Sequence, residues 1–273
     1  MRSGRAAAVA RKVGHRMYAR PARLGWSDGV VSFTFDDFPK SALAVGGSIL
    51  ASYGVRGTYY TSMSFAGIER AMGRMFDHDD LCAAHRAGHE IACHTYTHLD
   101  CCAASKLSIL EAIHNNGAAL SSVIKDFAPM NFAYPYGMVS PMAKRVLGPR
   151  FSSCRGIRED INYGVIDLAD LLAVSICSSV FEERKMRWLI DRNKSLGGWL
   201  IFYTHDVVDT PSPFGCTPEQ LEAVVAYASK HTTVLPVRDV VAYLRPLGRI
   251  PRTVYKAIPG RVRTKWHIFQ TIS

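Results

Sequence analysis

Asp36 and Asp37 stand side by side at the end of the apolar run VVSFTF, Val30 to Phe35. Two like charges this close raise each other's pKa unless a cation separates their roles. Neighbours on an extended chain point to opposite sides, so one acid can bind a metal and the other act as a base only where the strand end is twisted or looped. An acid pair could also simply cap a helix opening near Ser41. His94 and His98, in HTYTH, are four apart, which on one helical turn puts both imidazoles on one face. His85 and His89 repeat that spacing, but Gly88 falls between them. One carboxylate with two histidines, leaving positions open for water, is a common hydrolytic metal set. Zinc suits these nitrogen and oxygen donors best, and manganese, cobalt, nickel or iron can take the same place. In such a site Asp36 takes a proton from the activated water, and His205 is the acid that protonates a leaving amine.

The elements that must hold these residues follow from pattern. Strands are predicted at Val30 to Phe35, Val55 to Thr61, Glu90 to Cys93, Asn131 to Tyr134, Phe151 to Cys154, Leu171 to Ile176 and Gly198 to Tyr203. Each is a short apolar or β-branched run that ends in polar or turn residues. Helices are predicted at Ser41 to Tyr53, Asp79 to Ala87, Ser105 to Phe127, Ser140 to Leu147, Glu182 to Leu196 and Thr217 to His231. Strand and helix in alternation with short connections argue for a parallel α/β architecture in one domain. Asp36, Asp37, His94, His98, the turn from Tyr134 to Gly137 and His205 all follow the carboxyl end of a predicted strand. That rim is where barrels and open sheets gather their chemistry.

Composition bounds the rest. The chain is 48% hydrophobic and 21% charged, the balance of a folded globular protein. Leu168 to Val180 is among the best apolar runs; it falls short of the ~18 residues that cross a bilayer and contains Asp170. The formal charge of +10 sits in the tails, since residues 1–25 and 245–273 each hold seven Lys or Arg and no acid. The segment between them has 19 basic residues against all 23 acids, a net of −4. Basic tails on an acidic body read as attachments to an anionic membrane surface, or as solvated ends. Val9, Val13 and Met17 recur at four-residue spacing in a basic stretch that also resembles an organellar transit peptide. Seven cysteines, with Cys101 and Cys102 adjacent and no CxxC pair, read as thiols in a reducing compartment. The expected location is the cytoplasm, with peripheral contact to the inner membrane face through the tails.

TFDD at Thr34 to Asp37, VRGTYY at Val55 to Tyr60, GHEIACHTYTH at Gly88 to His98, FAYPYG at Phe132 to Gly137 and IFYTHD at Ile201 to Asp206 occur in a distinctive order. Over residues 28 to 244 the sequence resembles the polysaccharide deacetylase family, carbohydrate esterase family 4. The resemblance implies a distorted (β/α)7 barrel at 26–244 that removes an N-acetyl group from an amino sugar. It implies Asp36 as general base, Asp37, His94 and His98 as metal ligands and His205 as general acid. It also implies the Tyr134, Pro135 and Tyr136 turn against the substrate, with the Tyr136 N–H on the oxyanion. Two features depart from the family pattern. Ala133 stands where many members have an Arg that orients the base, and Arg155 in SCRGI is expected to supply that guanidinium from the neighbouring strand end. The family's Asp-Trp motif, which tunes the acid, is not found; Asp160, Asp167 and Asp170 are the candidates for that carboxylate.

Tyr59, Tyr96, Tyr134, Tyr136 and Phe214 could stack on sugar, although aromatic residues more often serve the core. The Pro-rich loop Val207 to Cys216 is expected to border the cleft. Other readings are a deformylase acting on a lipid-linked amino sugar, a degenerate glycan-binding module and a nucleic-acid binder working through the tails. The acidic body and the absence of a nucleic-acid motif argue against the last.

Overall fold

A computed structural model describes residues 17–246. The basic stretches at 1–16 and 247–273, with the amphipathic pattern at Val9 and Val13, lie outside the described residues. The elements run β1 (Pro21–Arg23), β2 (Val30–Asp36), α1 (Ser48–Ser52), β3 (Thr58–Thr61), β4 (Glu69–Arg70), β5 (Gly73–Arg74), α2 (His78–Arg86), β6 (Glu90–Cys93) and α3 (Lys106–Val123). They continue with β7 (Asn131–Ala133), α4 (Pro141–Leu147), β8 (Ser153–Arg155), β9 (Val165–Asp167), β10 (Val174–Ser175), α5 (Glu183–Leu196), β11 (Trp199–Thr204), α6 (Pro218–His231), β12 (Thr233–Val234), α7 (Val237–Tyr243) and β13 (Arg245–Pro246).

The main sheet is parallel, in the order β10, β11, β2, β3, β6, β7, β8, with β12 paired to the start of β2. It curls until its ends approach. Leu171 bridges Arg155 of β8, and three residues on Val174 pairs with Phe202 of β11. This is the expected α/β architecture, a distorted barrel closed by one irregular stretch. β2 is buried along its whole length, as a continuous apolar run covered on both faces must be. Sequence-readable caps place the helices: Asp77 opens α2 in a capping box with Asp80, Ser105 opens α3, Ser140 opens α4, and Thr217 with Gln220 opens α6.

Where expectation and structure differ, short-range geometry is the reason. The helix expected from Ser41 to Tyr53 begins as a π-helical stretch, Ala42–Gly47, before continuing as α1. Gly46 lies so close to the Phe35 ring that a Cβ there would collide with it. The strand expected at Phe151 to Cys154 is shifted, so that Arg155 lies within β8 and not after it. Strands β1, β9 and β13 were not anticipated. They form a small antiparallel sheet, in the order β13, β1, β9, of segments too short for a period-two pattern to register. No helix among the described residues is long and apolar enough to cross a membrane.

The floor of the barrel is closed by polar contacts. The buried Glu90 carboxylate accepts from Thr58 Oγ1 at 2.8 Å, Asn131 Nδ2 at 2.6 Å and the Arg238 N–H at 2.8 Å, tying β3, β6, β7 and α7 together. The site residues collect at the opposite, carboxyl end of the strands.

Candidate active site

Asp36 is the last residue of β2, and the chain then turns sharply. Asp37 and Phe38 both have left-handed backbone angles, φ 61° and 60°. That loop lets two consecutive acids point to different places. His94 and His98 do not lie on a helical turn as the spacing suggested. They follow β6 in an irregular stretch in which Thr95 (φ 61°) and His98 (φ 56°) are left-handed, and their rings approach to 4.8 Å between centroids. Tyr136 (φ 59°) completes a group of five such residues among the seven non-glycine positions with positive φ in the described residues. Each costs about 1 kcal/mol or more, and strain of this kind concentrates where surrounding structure imposes a functional geometry.

Three donors converge. Asp37 Oδ1 lies 3.6 Å from His94 Nε2 and 3.5 Å from His98 Nε2, and the three groups form the one His/Cys/Asp/Glu cluster among the described residues with metal-ligand spacing. Asp37 Oδ1 is buried and accepts no hydrogen bond. A buried carboxylate oxygen left so would be costly unless a cation met it, so the donor set fits a divalent ion. His94 Nδ1 lies 2.8 Å from the Ala133 carbonyl, which can only accept, so Nδ1 carries the proton and Nε2 offers its lone pair. Burial holds the His94 imidazole below its usual pKa, and burial with the neighbouring His94 takes His98 down to about 4. Both are therefore neutral near pH 7. Asn116 of α3 steadies this part of the site, donating to Thr61 O at 2.9 Å and contacting Cys93 Sγ beside His94.

Asp36 is separated from that cluster by its own partner. Arg155, fully buried on β8, donates through Nη2 to Asp36 Oδ1. Its guanidinium lies 5.0 Å from the Tyr60 ring and 5.1 Å from the Tyr203 ring. Burial alone would raise the Asp36 pKa; Arg155, with His94 and His205, outweighs it and holds the carboxyl below its ordinary value. The register explains how Arg155 arrives there. Ala133 on β7 pairs directly with Arg155 on β8, and paired residues of a parallel sheet share a face. The small Ala92 and Ala133 beside Tyr60 leave the interior space that the long side chain crosses.

His205 follows β11 and lies close enough to lower the pKa of both Asp36 and His98. None of the carboxylates considered for it is its partner. Asp167 binds Lys144 and the Arg20 N–H, Asp170 binds Arg158, and Asp160 Oδ1 accepts its neighbour's N–H at Ile161. His205 Nδ1 instead lies 3.3 Å from the carbonyl oxygen of Phe214. This partner escaped sequence reasoning because a main-chain carbonyl has no residue signature. The loop Val207 to Cys216 lies beside His205 through Phe214.

The turn after β7 divides its residues. Tyr136 is 62% exposed, with its ring 4.4 Å from that of His98. Tyr134 and Pro135 are buried, and the Tyr134 hydroxyl donates to Ala169 O at 3.0 Å, so the Tyr134 side chain serves the core and not the cleft. Tyr59 is also core, and Tyr96 is half-buried. Tyr136 and Phe214 are left as the exposed members of the five aromatics considered for stacking. His89, of the second histidine pair, is buried and accepts the Gly57 N–H at 3.0 Å, and His85 packs edge-on to Phe127.

Residues 25–148 match the family model described as polysaccharide deacetylase. Over this segment the chain is similar to the polysaccharide deacetylase family. Solved structures sharing the fold include the chitin deacetylase of Colletotrichum lindemuthianum, with TM-score 0.57 and 18% identity over 80% of this chain and 88% of that one. A family 4 acetyl xylan esterase from Clostridium thermocellum, solved with cobalt, aligns with TM-score 0.54 and 19% identity over 78% and 90%. A family 4 carbohydrate esterase of Bacillus subtilis aligns with TM-score 0.55 and 11% identity over 82% and 86%. Comparison with curated protein sequences found no match. The family that residues 25–148 match is named for deacetylation, which is hydrolysis of an amide or ester bond. Arg155, which meets Asp36, stands on β8 directly opposite Ala133, the position where the resemblance led one to expect an arginine.

Proposed function

We propose that the protein is a metal-dependent hydrolase that removes an N-acetyl group from an amino sugar during cell-surface glycan synthesis. The observation that carries this reading is the separation of two adjacent carboxylates, with Asp36 ion-paired to Arg155 and Asp37 set between two histidines. Asp37, His94 and His98 would hold the metal, for which the nitrogen and oxygen donors favour zinc. When bound there, a divalent ion supplies Lewis acidity that polarises the amide carbonyl and makes a water more acidic. Asp36, ionised near neutrality, takes the proton from the attacking water. The Tyr136 N–H, at the exposed turn, donates to the oxygen that gains charge. His205 then gives a proton to the departing amine nitrogen.

The basic tails are proposed to hold the enzyme at an anionic membrane surface on the cytoplasmic side, where the substrate would be a lipid-linked precursor. Pairing of β1 with β13 (Arg23 opposite Arg245) brings the two ends of the described chain to one sheet, which suits a joint attachment.

The test is release of acetate or formate by the metal-loaded protein from a panel of N-acylated sugars, lipid-linked forms included, in wild type and Asp36→Asn. Acetate release that falls at least about 100-fold in the variant supports the reading. Formate in its place assigns the deformylase. Equal rates in the two proteins would overturn Asp36 as base, and sugar binding without turnover would make the chain a glycan-binding module.

A further inference from the structure

The loop after His205 is held by a compact clip. Asp206 is buried, and its carboxylate is bonded into the loop. Oδ2 accepts the Ser212 N–H at 2.7 Å, and Oδ1 accepts the Ser212 hydroxyl at 2.6 Å. Ser212 Oγ in turn accepts the Phe214 N–H at 3.2 Å, and the Cys216 N–H donates to Asp206 O at 3.0 Å. Gly215 is required here, because a Cβ at that position would run into the Asp206 carboxylate.

The product of this folding is the placement of one carbonyl. Phe214 O is approached by Cys177 Sγ at 3.2 Å, Thr204 Oγ1 at 3.4 Å and His205 Nδ1 at 3.3 Å. A carbonyl only accepts, so the contact with His205 exists only when Nδ1 carries hydrogen. Nε2 is then the nitrogen free to exchange a proton with substrate. No carboxylate performs this task for His205 among the described residues.

We propose that Asp206 and Ser212 are positioning residues for His205: their clip sets the Phe214 carbonyl against Nδ1 and so fixes the ring's tautomer and direction. The consequence for catalysis rests on the reading of His205 as general acid, whereas the tautomer itself does not.

The experiment uses ¹⁵N-histidine-labelled full-length protein loaded with zinc, with the His205 signal assigned from His205→Gln. Long-range ¹H–¹⁵N spectra above the ring's titration should show His205 as the Nδ1–H tautomer. Ser212→Ala, which removes one hydroxyl and leaves the backbone donor, should turn it into a mixture of tautomers. Ser212→Thr should restore the wild-type pattern. In parallel, kcat should fall about 10- to 100-fold in Ser212→Ala with KM little changed, and recover in Ser212→Thr. Asp206→Asn should act in the same direction, with thermal melts showing whether it remains folded. A wild-type ring in the Nε2–H form, or the same tautomer in wild type and Ser212→Ala, would overturn the clip. A tautomer that shifts while kcat holds supports the clip and overturns His205 as the acid.

Discussion

Replacing Arg155 with Met keeps most of the side chain's length and removes its charge, leaving Asp36 as a buried carboxylate with no ion-pair partner on β8. Breaking one side of a buried pair costs about 3–5 kcal/mol, because the remaining charge stays desolvated. At ~2–4 °C per kcal/mol for a chain of this size, the midpoint of thermal unfolding should drop by about 6–20 °C. Asp36→Asn should cost less, since the guanidinium keeps the Gly156 carbonyl at 3.1 Å and the faces of Tyr60 and Tyr203. The double variant should be more stable than Arg155→Met alone, because both charges leave the interior together. Urea unfolding of the four metal-free proteins at pH 7 gives the coupling directly. Losses that add within about 0.5 kcal/mol would show that Arg155 and Asp36 do not depend on each other, and would refute the account of the site. Ala133→Arg in the Arg155→Met background extends the test, since the register places position 133 directly opposite 155. Partial recovery of stability is expected there.

Two further outcomes follow from the same geometry. Wild type should bind about one divalent ion per chain and gain about 2.7 kcal/mol at 100 times the dissociation constant; His94→Ala should lose both, as read by elemental analysis and by melts with and without added zinc. His89, held at about 4 by burial with help from Arg56 and Arg238, is neutral in the folded protein while its unfolded counterpart titrates near 6.5. The unfolded state therefore gains a proton first as pH falls. Its contribution is lost from about pH 7 down to about pH 4 and amounts to about 2 kcal/mol between pH 8 and pH 5. His89→Gln should unfold with a correspondingly flatter dependence on pH over that interval, and an unchanged slope would refute the assignment.

How much of this was legible in the sequence depends on the range of the interactions involved. Strand β6 falls where its composition placed it, and α3, α4 and α6 begin at the residues expected to open them, because capping signals act over three or four residues. The rim that gathers Asp36, Asp37, His94, His98 and His205 was readable from the polar residues that follow each apolar run. The geometry of HTYTH was not. Its two imidazoles meet through left-handed turns at Thr95 and His98 and not through a helical face, a choice made by the surrounding structure and invisible in a spacing of four. Three-residue strands such as β1 and β9 carry no pattern of their own and exist because each supplies the other's hydrogen bonds.

By itself, then, the chain determined an alternating α/β order, a set of strand-end acids and histidines, and a charge divided between tails and body. Only the tertiary structure decided which of those groups act on one another. Arg155 reaches Asp36 because the parallel register sets it beside a small Ala133 inside a curled sheet. His205 meets a carbonyl and not a carboxylate because a loop of ten residues folds back on it. Such pairings depend on register, curvature and main-chain position, which join residues more than a hundred positions apart or involve atoms that every residue shares.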